Sequence, residues 1–197
     1  MHPTASSPAH CLFLDDQQLY KTCQITVPDI EQPLAAIVVN GECYSFFRLT
    51  RDSDYALSVA GKLTHSGDRI AILKKKNGYS LWAVEPLARP TTAARLNTSP
   101  SQSVDSTGRP HQPIGSSTIL YSSDSCQPVH IRVPDLEQPV KAIAYGGQYY
   151  SLFRTEQNSE QVISIVGKTA RRGDETIVVK TMETYAICVI EPVAIPL

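Results

Sequence analysis

Some polar residues of this chain occur twice, with a constant spacing of 106 residues, and six of them could form a recognition surface. They comprise the acids and the amide of a proline-bracketed loop, two tyrosines and an arginine. In the two halves they are Asp29, Glu31, Gln32, Tyr44, Arg48 and Tyr79, and then Asp135, Glu137, Gln138, Tyr150, Arg154 and Tyr185. Because tyrosine and arginine are enriched at the energetic centres of interfaces, these residues predict a surface that binds another protein.

The same residues could instead have structural roles. Aspartate beside proline or glycine closes turns through its own backbone, which would account for Asp29 and Asp135. Arg48 could form an ion pair with Glu85 on a neighbouring strand instead of holding a ligand. Aromatic side chains in strands also lie in the core more often than on a binding surface.

The sequence does not predict a catalytic centre. Acid–base and nucleophilic catalysis need a base with a pKa near neutrality beside a positioned partner. No histidine recurs after 106 residues, the five being His2, His10, His65, His111 and His130. Glycine-rich phosphate and dinucleotide motifs are absent, as are the zinc-protease and serine-hydrolase motifs. We therefore expect a protein that is not an enzyme and that uses no cofactor.

The five cysteines do not predict disulfides or a metal site. Their number is odd, no two are spaced C-x-x-C, and none recurs 106 residues away. A disulfide framework or a zinc site built into both halves would have kept them in both. We expect reduced and mostly buried thiols at Cys11, Cys23, Cys43, Cys126 and Cys188.

The same spacing extends far beyond the polar residues. The segment VPDIEQP at 27–33 returns as VPDLEQP at 133–139, and 26 of the 66 positions from 25 to 90 match their partners at 131–196. This predicts an internal duplication. Its expected parts are a flexible tail over residues 1–10, a first unit over 11–90, a disordered linker over 91–117 and a second unit over 118–197.

Each unit is predicted to fold as β-β-β-β-α-β-β, an α+β fold with one helix packed on a mainly antiparallel sheet. Asn40-Gly41 and its counterpart Gly146-Gly147 predict a two-residue hairpin turn, since both pairs tolerate positive φ. That register places Ile37 opposite Tyr44 and puts Phe46 and Arg48 on the same face as Tyr44.

A helix of 12–13 residues is predicted after this hairpin. Apolar residues recur at helical spacing from Ala56 to Leu63. Ser53 and Ser159 are expected to cap the N-termini, and Gly67 and Gly173 are expected to end the two helices.

Charge and composition limit where in the cell this protein is expected to be. The chain carries a formal net charge of −1, with 42% hydrophobic residues. No apolar run approaches the roughly 18 residues of a membrane span, and the first residues lack the pattern of a secretory signal. We expect a cytoplasmic protein.

Binding of nucleic acid is an alternative that this charge does not favour. It would use the basic helix ends and the strand tyrosines. Lys74-Lys75-Lys76 reads Lys180-Thr181-Met182 in the second half, so the lysine triplet is typical of a solvated hairpin turn. The basic helix ends comprise Lys62, Lys168, Arg171 and Arg172.

Taken together, these motifs resemble those of a protein family. The succession of V-P-D-[IL]-E-Q-P, Y-S-[FL]-F-R, G-D and G-Y-x-L-W-x-V-E-P is similar to short, uncharacterised cyanobacterial proteins that carry one such unit. The resemblance covers residues 23–90 and 129–196, and it departs at Thr184 and Cys188, where the first half has Gly78 and Trp82. It implies a bacterial, cytosolic setting and brings no established activity.

The expected function is that of a tandem-repeat module that binds another protein, as an adaptor or regulator. Two linked binding surfaces raise avidity when both can engage at once. A small-ligand site or an enzyme site between the two units is a further alternative. Because one helix covers only one face of each sheet, we also expect the two units to dock on each other within the chain.

Overall fold

The structure is a computed structural model that describes residues 10–91, 113–121 and 126–197. Most of the predicted tail and of the predicted linker lies outside these ranges. The first half contains β1 (Cys11–Leu14), a short 3-10 helix (Gln17–Leu19), β2 (Lys21–Val27), β3 (Ile30–Val39), β4 (Glu42–Thr50), α1 (Ser53–His65), β5 (Ile70–Lys75), β6 (Gly78–Val84) and β7 (Arg89–Pro90). The second half contains β8 (Ser117–Leu120), β9 (Gln127–Arg132), β10 (Val140–Tyr145), β11 (Gln148–Glu156), α2 (Ser159–Arg171), β12 (Thr176–Lys180), β13 (Tyr185–Ile190) and β14 (Ile195–Pro196).

These strands form one 14-stranded sheet, in the order β14-β9-β10-β11-β13-β12-β8-β1-β5-β6-β4-β3-β2-β7. The expected α+β class is confirmed. Outward from its centre, the sheet has the same strand order on both sides. β1 is parallel to β5 and β8 is parallel to β12, whereas the remaining pairs are antiparallel. The two sides meet where β1 pairs antiparallel with β8, at the single register pair Cys11 and Ser117.

The predicted hairpin turn is confirmed in both halves. Asn40 and Gly41 have φ values of 49° and 83°, and Gly146 and Gly147 have 58° and 79°. Two consecutive residues with positive φ are what a tight two-residue turn between twisted strands requires. Ile37 pairs with Tyr44, as the turn predicts.

The prediction that Arg48 shares a face with Tyr44 is wrong. β4 pairs regularly with β6 up to Phe46 and Trp82, and the register then shifts so that Arg48 pairs with Leu81. This bulge inserts Phe47 as an extra residue and turns Arg48 towards the helix side of the sheet, because a one-residue insertion inverts the alternation of side chains.

The predicted N-caps are wrong by one residue. The side chain of Asp52 accepts hydrogen bonds from the backbone N–H groups of residues 54 and 55, and Asn158 does the same for residues 160 and 161. Aspartate, asparagine and serine are all good caps, so propensity alone could not choose between neighbours. Ser53 and Ser159 are instead the first helical residues. The helix lengths and the glycine stops, with φ of 98° at Gly67 and 84° at Gly173, agree with the prediction.

Two short strands were not predicted. Arg89–Pro90 and Ile195–Pro196 fold back to pair with β2 and β9 at the two outer edges of the sheet. Proline cannot donate to a ladder, which makes an outermost strand one of the few places in a sheet that accept it.

Both helices pack on the same face of the sheet, over its centre. The core below them combines β1 and β5 of the first half with β8 and β12 of the second half. Its fully buried members include Phe13, Leu57, Ile72, Val162 and Val178. One hydrophobic core therefore belongs to both halves.

Each helix also contacts the residue that follows the first strand of the other half. The ring of Tyr121, after β8, lies against Gly61 of α1, and its hydroxyl donates to the backbone carbonyl of Leu57. At the equivalent place, Asp15 after β1 lies beside Gly167 of α2 and forms an ion pair with Arg171. The two glycines occupy equivalent positions, but only the first lies under an aromatic ring.

We predict opposite effects of alanine at these two glycines. A Cβ at Gly61 would overlap the Tyr121 ring, with Cζ only 2.8 Å away, so Gly61→Ala should lower the free energy of unfolding by about 1–3 kcal/mol. A Cβ at Gly167 meets its nearest atom, Asp15 Cγ, at 3.5 Å. Gly167→Ala should therefore be neutral, or stabilising by up to about 1 kcal/mol through helix propensity. Urea denaturation measures both.

The control is Gly61→Ala in a Tyr121→Ala background, where the clash is removed and the loss should disappear. Equal destabilisation by Gly61→Ala with and without the tyrosine would contradict the proposed contact.

Candidate functional site at the junction of the two halves

The predicted recognition residues do not lie together. The proline-bracketed loops connect β2 with β3 and β9 with β10, towards the two outer edges of the sheet, far along the strand order from its centre. All six predicted residues of these segments are exposed to solvent, although Glu31 and Gln32 fall within β3 and not in the loop before it. The six are Asp29, Glu31, Gln32, Asp135, Glu137 and Gln138.

The four predicted tyrosines are buried, and they divide between the two faces of the sheet. Tyr44 and Tyr150 belong to clusters on the face away from the helices. The Tyr44 hydroxyl donates to Glu42 Oε2 at 3.2 Å, and burial, helped by this carboxylate, raises its pKa. Tyr79 and Tyr185 belong to the shared core on the helix face.

Arg48 and Arg154 are exposed on β4 and β11, and Arg48 does not bind Glu85, the acid that the sequence indicated. Arg48 donates to the Tyr55 hydroxyl on α1, and its Cζ lies 6.0 Å from the centroid of the Phe47 ring. The expected ion pair between Arg48 and Glu85 is therefore wrong. Glu85 accepts a hydrogen bond from the Ser45 hydroxyl at 2.7 Å.

The second half repeats part of this arrangement. Ser151 donates to Glu191 at 2.6 Å, as Ser45 does to Glu85. Arg154 differs from Arg48, because it forms an ion pair with Glu156 on its own strand.

The two helix N-termini meet at the junction of the halves. The hydroxyl oxygens of Ser53 and Ser159 lie 2.6 Å apart, and these residues occupy equivalent positions in the two halves. Equivalent atoms can contact each other only close to a local two-fold axis, which locates such an axis between the two helices.

Two tyrosine–carboxylate pairs flank the serines. The Tyr79 hydroxyl donates to Glu160 of the other half at 3.2 Å, and the Tyr185 hydroxyl donates to Asp54. Lys180 Nζ adds a hydrogen bond to Asp54 at 2.7 Å. Every one of these bonds joins one half of the chain to the other.

The shifted pKa values in these two pairs keep Asp54 and Tyr79 in the protonation states that their hydrogen bonds need. Hydrogen bonds from Lys180 and Tyr185 lower the pKa of Asp54, because they stabilise its charged form. Burial, followed by the nearby Glu160 carboxylate, raises the pKa of Tyr79 to about 12. Asp54 is therefore charged and Tyr79 protonated at neutral pH, which is the state that each hydrogen bond requires.

An open cleft of about 470 Å³ lies beside the Tyr79–Glu160 pair. Its lining combines residues of both halves, with the β5–β6 turn as its main wall. The lining residues are Arg51, Lys74, Lys75, Lys76, Asn77, Gly78, Tyr79 and Glu160.

Sequence reasoning missed this cleft, because it treated the lysine triplet as a solvated turn. The presence of the triplet in only one half was the available signal. A second cleft, of about 460 Å³, lies near the equivalent place and contains no lysine or arginine. It is lined by Thr155, Glu156, Gln157, Asn158, Gln161 and Thr184.

Neither a metal site nor a membrane span is found in the described part of the chain. The described ranges contain no group of three or more histidine, cysteine, aspartate or glutamate side chains that could hold a metal ion. No described helix is long and apolar enough to cross a bilayer. No disulfide joins the five cysteines, all of which lie in the described ranges. Cys11, Cys126 and Cys188 are buried, and burial raises the pKa of Cys188 to about 12.

Comparison with protein-family models, with curated proteins and with solved structures finds no match to this chain. Its function therefore has to be argued from its own residues.

We predict that Asp54→Asn destabilises the protein at pH 7 and that this loss shrinks in acid. Because the folded pKa of Asp54 lies below its unfolded value of about 3.9, its charged form stabilises the fold above that value. The wild type then loses this contribution as the pH falls through the folded pKa. Urea denaturation of the wild type and Asp54→Asn between pH 7 and pH 3 measures the difference.

Tyr185→Phe is the matched control for that experiment. Tyr185→Phe removes one of the two donors to Asp54. In a protein that carries Tyr185→Phe, the loss of unfolding free energy caused by Asp54→Asn should therefore depend less on pH. A difference that stays constant from pH 7 to pH 3 would show that the Asp54 charge contributes nothing.

Proposed function

We propose that this chain is a non-catalytic protein-interaction module, in which two copies of a duplicated unit act as one body with two related binding surfaces. The observation that carries the proposal is an exposed Phe-Arg pair at the same place in both halves. The pairs are Phe47-Arg48 and Phe153-Arg154.

The two phenylalanines are exposed although they lie on interior strands of the sheet. Phe47 is 47% exposed and Phe153 is 55% exposed. The register of β11 against β13 shifts between Leu152 and Arg154, so Phe153 sits at a bulge as Phe47 does. Bulges re-aim side chains, and an exposed aromatic beside arginine has the composition of an interface centre.

The first surface is the more complete. Tyr55 of α1 is 39% exposed, and Arg48 Cζ lies 5.8 Å from the centroid of its ring. Arg48 donates to the neutral hydroxyl of Tyr55, so its charge is left for a carboxylate of another molecule. The partner we propose is therefore a protein with an apolar pocket for Phe47 and an acidic side chain at its rim.

The second surface is expected to bind more weakly. Glu156 already neutralises Arg154, and the position equivalent to Tyr55 is Gln161. Engagement of both surfaces by one partner, or by a partner that is itself two-fold, would still raise the total affinity above that of either surface alone.

Action as one body rests on docking of the two halves. The β1–β8 pairing, the Ser53–Ser159 contact and the shared core support this part of the proposal. Near this junction, Asn40 exchanges two hydrogen bonds of 3.3 Å with the backbone of Ile114, just before β8. The cytoplasmic location and the resemblance to cyanobacterial single-unit proteins stay predictions from the sequence.

We predict that Phe47→Ser with Phe153→Ser abolishes partner capture by the full-length protein. Removing a buried phenylalanine from an interface costs about 1.5–3 kcal/mol, so each site should lose at least about tenfold in affinity. The measurement is quantitative mass spectrometry of proteins retained from native extract, followed by calorimetry with the purified partner.

The matched control is Leu87→Ser with Val193→Ser. These apolar residues also occupy equivalent positions, and they are 71% and 65% exposed. The control should capture the partner as the wild type does, and Phe47→Ser alone should weaken capture more than Phe153→Ser alone. Equal retention by the phenylalanine variant, or equal loss with the control, would refute this surface.

A further inference from the structure

We propose that the cleft beside Tyr79, lined by Arg51 and the β5–β6 turn, binds the di- or triphosphate group of a small molecule. This inference goes beyond the protein-interaction role and rests on other residues. Four cations line the cleft, namely Arg51, Lys74, Lys75 and Lys76.

None of these four cations has a carboxylate partner in the described part of the chain. The ion pairs of the described residues use Arg69, Arg154, Arg171, Arg172 and Lys180. Lys75 donates to the Tyr20 hydroxyl at 3.0 Å, which is a neutral group. Four positive charges therefore lie at one cleft with only Glu160 as a negative charge in its lining.

A close backbone approach holds the cations together. Gly78 has φ of 134°, a conformation that side-chain-bearing residues rarely adopt. A Cβ there would overlap the backbone oxygen of Thr50 and lie 3.0 Å from Arg51 Cα. Glycine thus allows the turn that carries Lys74, Lys75 and Lys76 to pack against the chain at Arg51.

The equivalent turn of the second half lacks both the glycine and most of the cations. The positions equivalent to Arg51, Lys75 and Lys76 are Gln157, Thr181 and Met182, and Thr184 replaces the glycine. The one lysine that remains, Lys180, is neutralised by Asp54 at 2.7 Å. Of the two described clefts, the one in the first half is therefore the one with an uncompensated positive charge.

The chemistry of the cleft favours a compact and highly charged phosphate compound. Lysine and arginine bind phosphate through charge-assisted hydrogen bonds, and several cations at one place suit several phosphates in series. A cleft of about 470 Å³ has the volume of an ordinary small-molecule site. A nucleic acid would need a longer basic track, whereas the chain as a whole has a net charge of −1.

The test replaces the cations with the residues that the second half already has. The full-length triple variant Arg51→Gln, Lys75→Thr, Lys76→Met should fold, because all three side chains are exposed. Its matched control loses three charges elsewhere on the surface, through Lys21→Gln, Lys141→Gln and Lys168→Gln. Circular dichroism verifies that both variants are folded.

Isothermal titration calorimetry at about 0.15 M salt, the physiological ionic strength, then compares four probes. They are inorganic tripolyphosphate, a nucleoside triphosphate, the nucleoside without phosphate and a mixed single-stranded oligonucleotide. We expect each triphosphate to bind the control variant with an affinity within about twofold of its affinity for the wild type. The bare nucleoside should not bind. The triple variant should bind them at least about tenfold more weakly, and Glu160→Gln should bind them more tightly, since it removes the only negative charge of the lining.

Tighter binding of the nucleoside triphosphate than of tripolyphosphate would support the site and identify a nucleotide as its source. The proposal is overturned if tripolyphosphate does not bind, if the triple variant binds as the wild type does, or if the control loses as much as the triple variant. Preferential binding of the oligonucleotide would also overturn it, in favour of a polymer site.

Discussion

The hydrophobic core shared by the two halves is the constraint on which the rest of this structure depends. Among the described residues, strand pairing across the junction is limited to one register pair, Cys11 with Ser117, so the sheet ladder alone holds the halves only weakly. The area buried by α1 and α2 over β1 and β8 has to supply most of the contact, because burial of apolar surface is the dominant favourable contribution to such an association. The Ser53–Ser159 contact and the two tyrosine–carboxylate pairs then set the register of one half on the other, since hydrogen bonds require specific distances and directions.

Equivalent positions on the two sides of this junction make different kinds of contact. Gly61 accepts an aromatic ring from the other half, whereas Gly167 lies beside Asp15, whose charge is matched by Arg171. A strictly symmetric junction would need the same residue to fit both sides. A junction inside a single chain has no such requirement. The residues on each side can be substituted separately as long as the shared core stays filled. Such divergence is what allows one cleft to be basic and its counterpart to contain no basic residue.

The features that the sequence predicted are those decided by local chemistry. The Asn40-Gly41 turn, the helix length and the glycine stops follow from backbone preferences of single residues, and the structure agrees. The bulge at Phe47 and the choice of Asp52 over Ser53 as the cap depend on packing between distant segments, which a local pattern does not contain. The contacts of Glu160 with Tyr79 and of Asp54 with Tyr185 were out of reach for the same reason. They join residues 81 and 131 positions apart.

Both proposed surfaces depend on the short segment that links β4 to α1. The bulge turns Arg48 towards the helix side beside the exposed Phe47, and three residues later Arg51 meets the β5–β6 turn. The backbone of this segment is fixed in both halves by the same two devices, a bulge and an Asp or Asn cap. Because the backbone is fixed independently of the exposed side chains, those side chains could diverge without loss of the fold. Phe and Arg occur at the bulge in both halves. At the positions around it the halves differ, because the second half has Gln157 in place of Arg51 and Gln161 in place of Tyr55. Shared residues at the bulge therefore favour a role common to both halves, and the unshared cations favour a role that belongs to the first half alone.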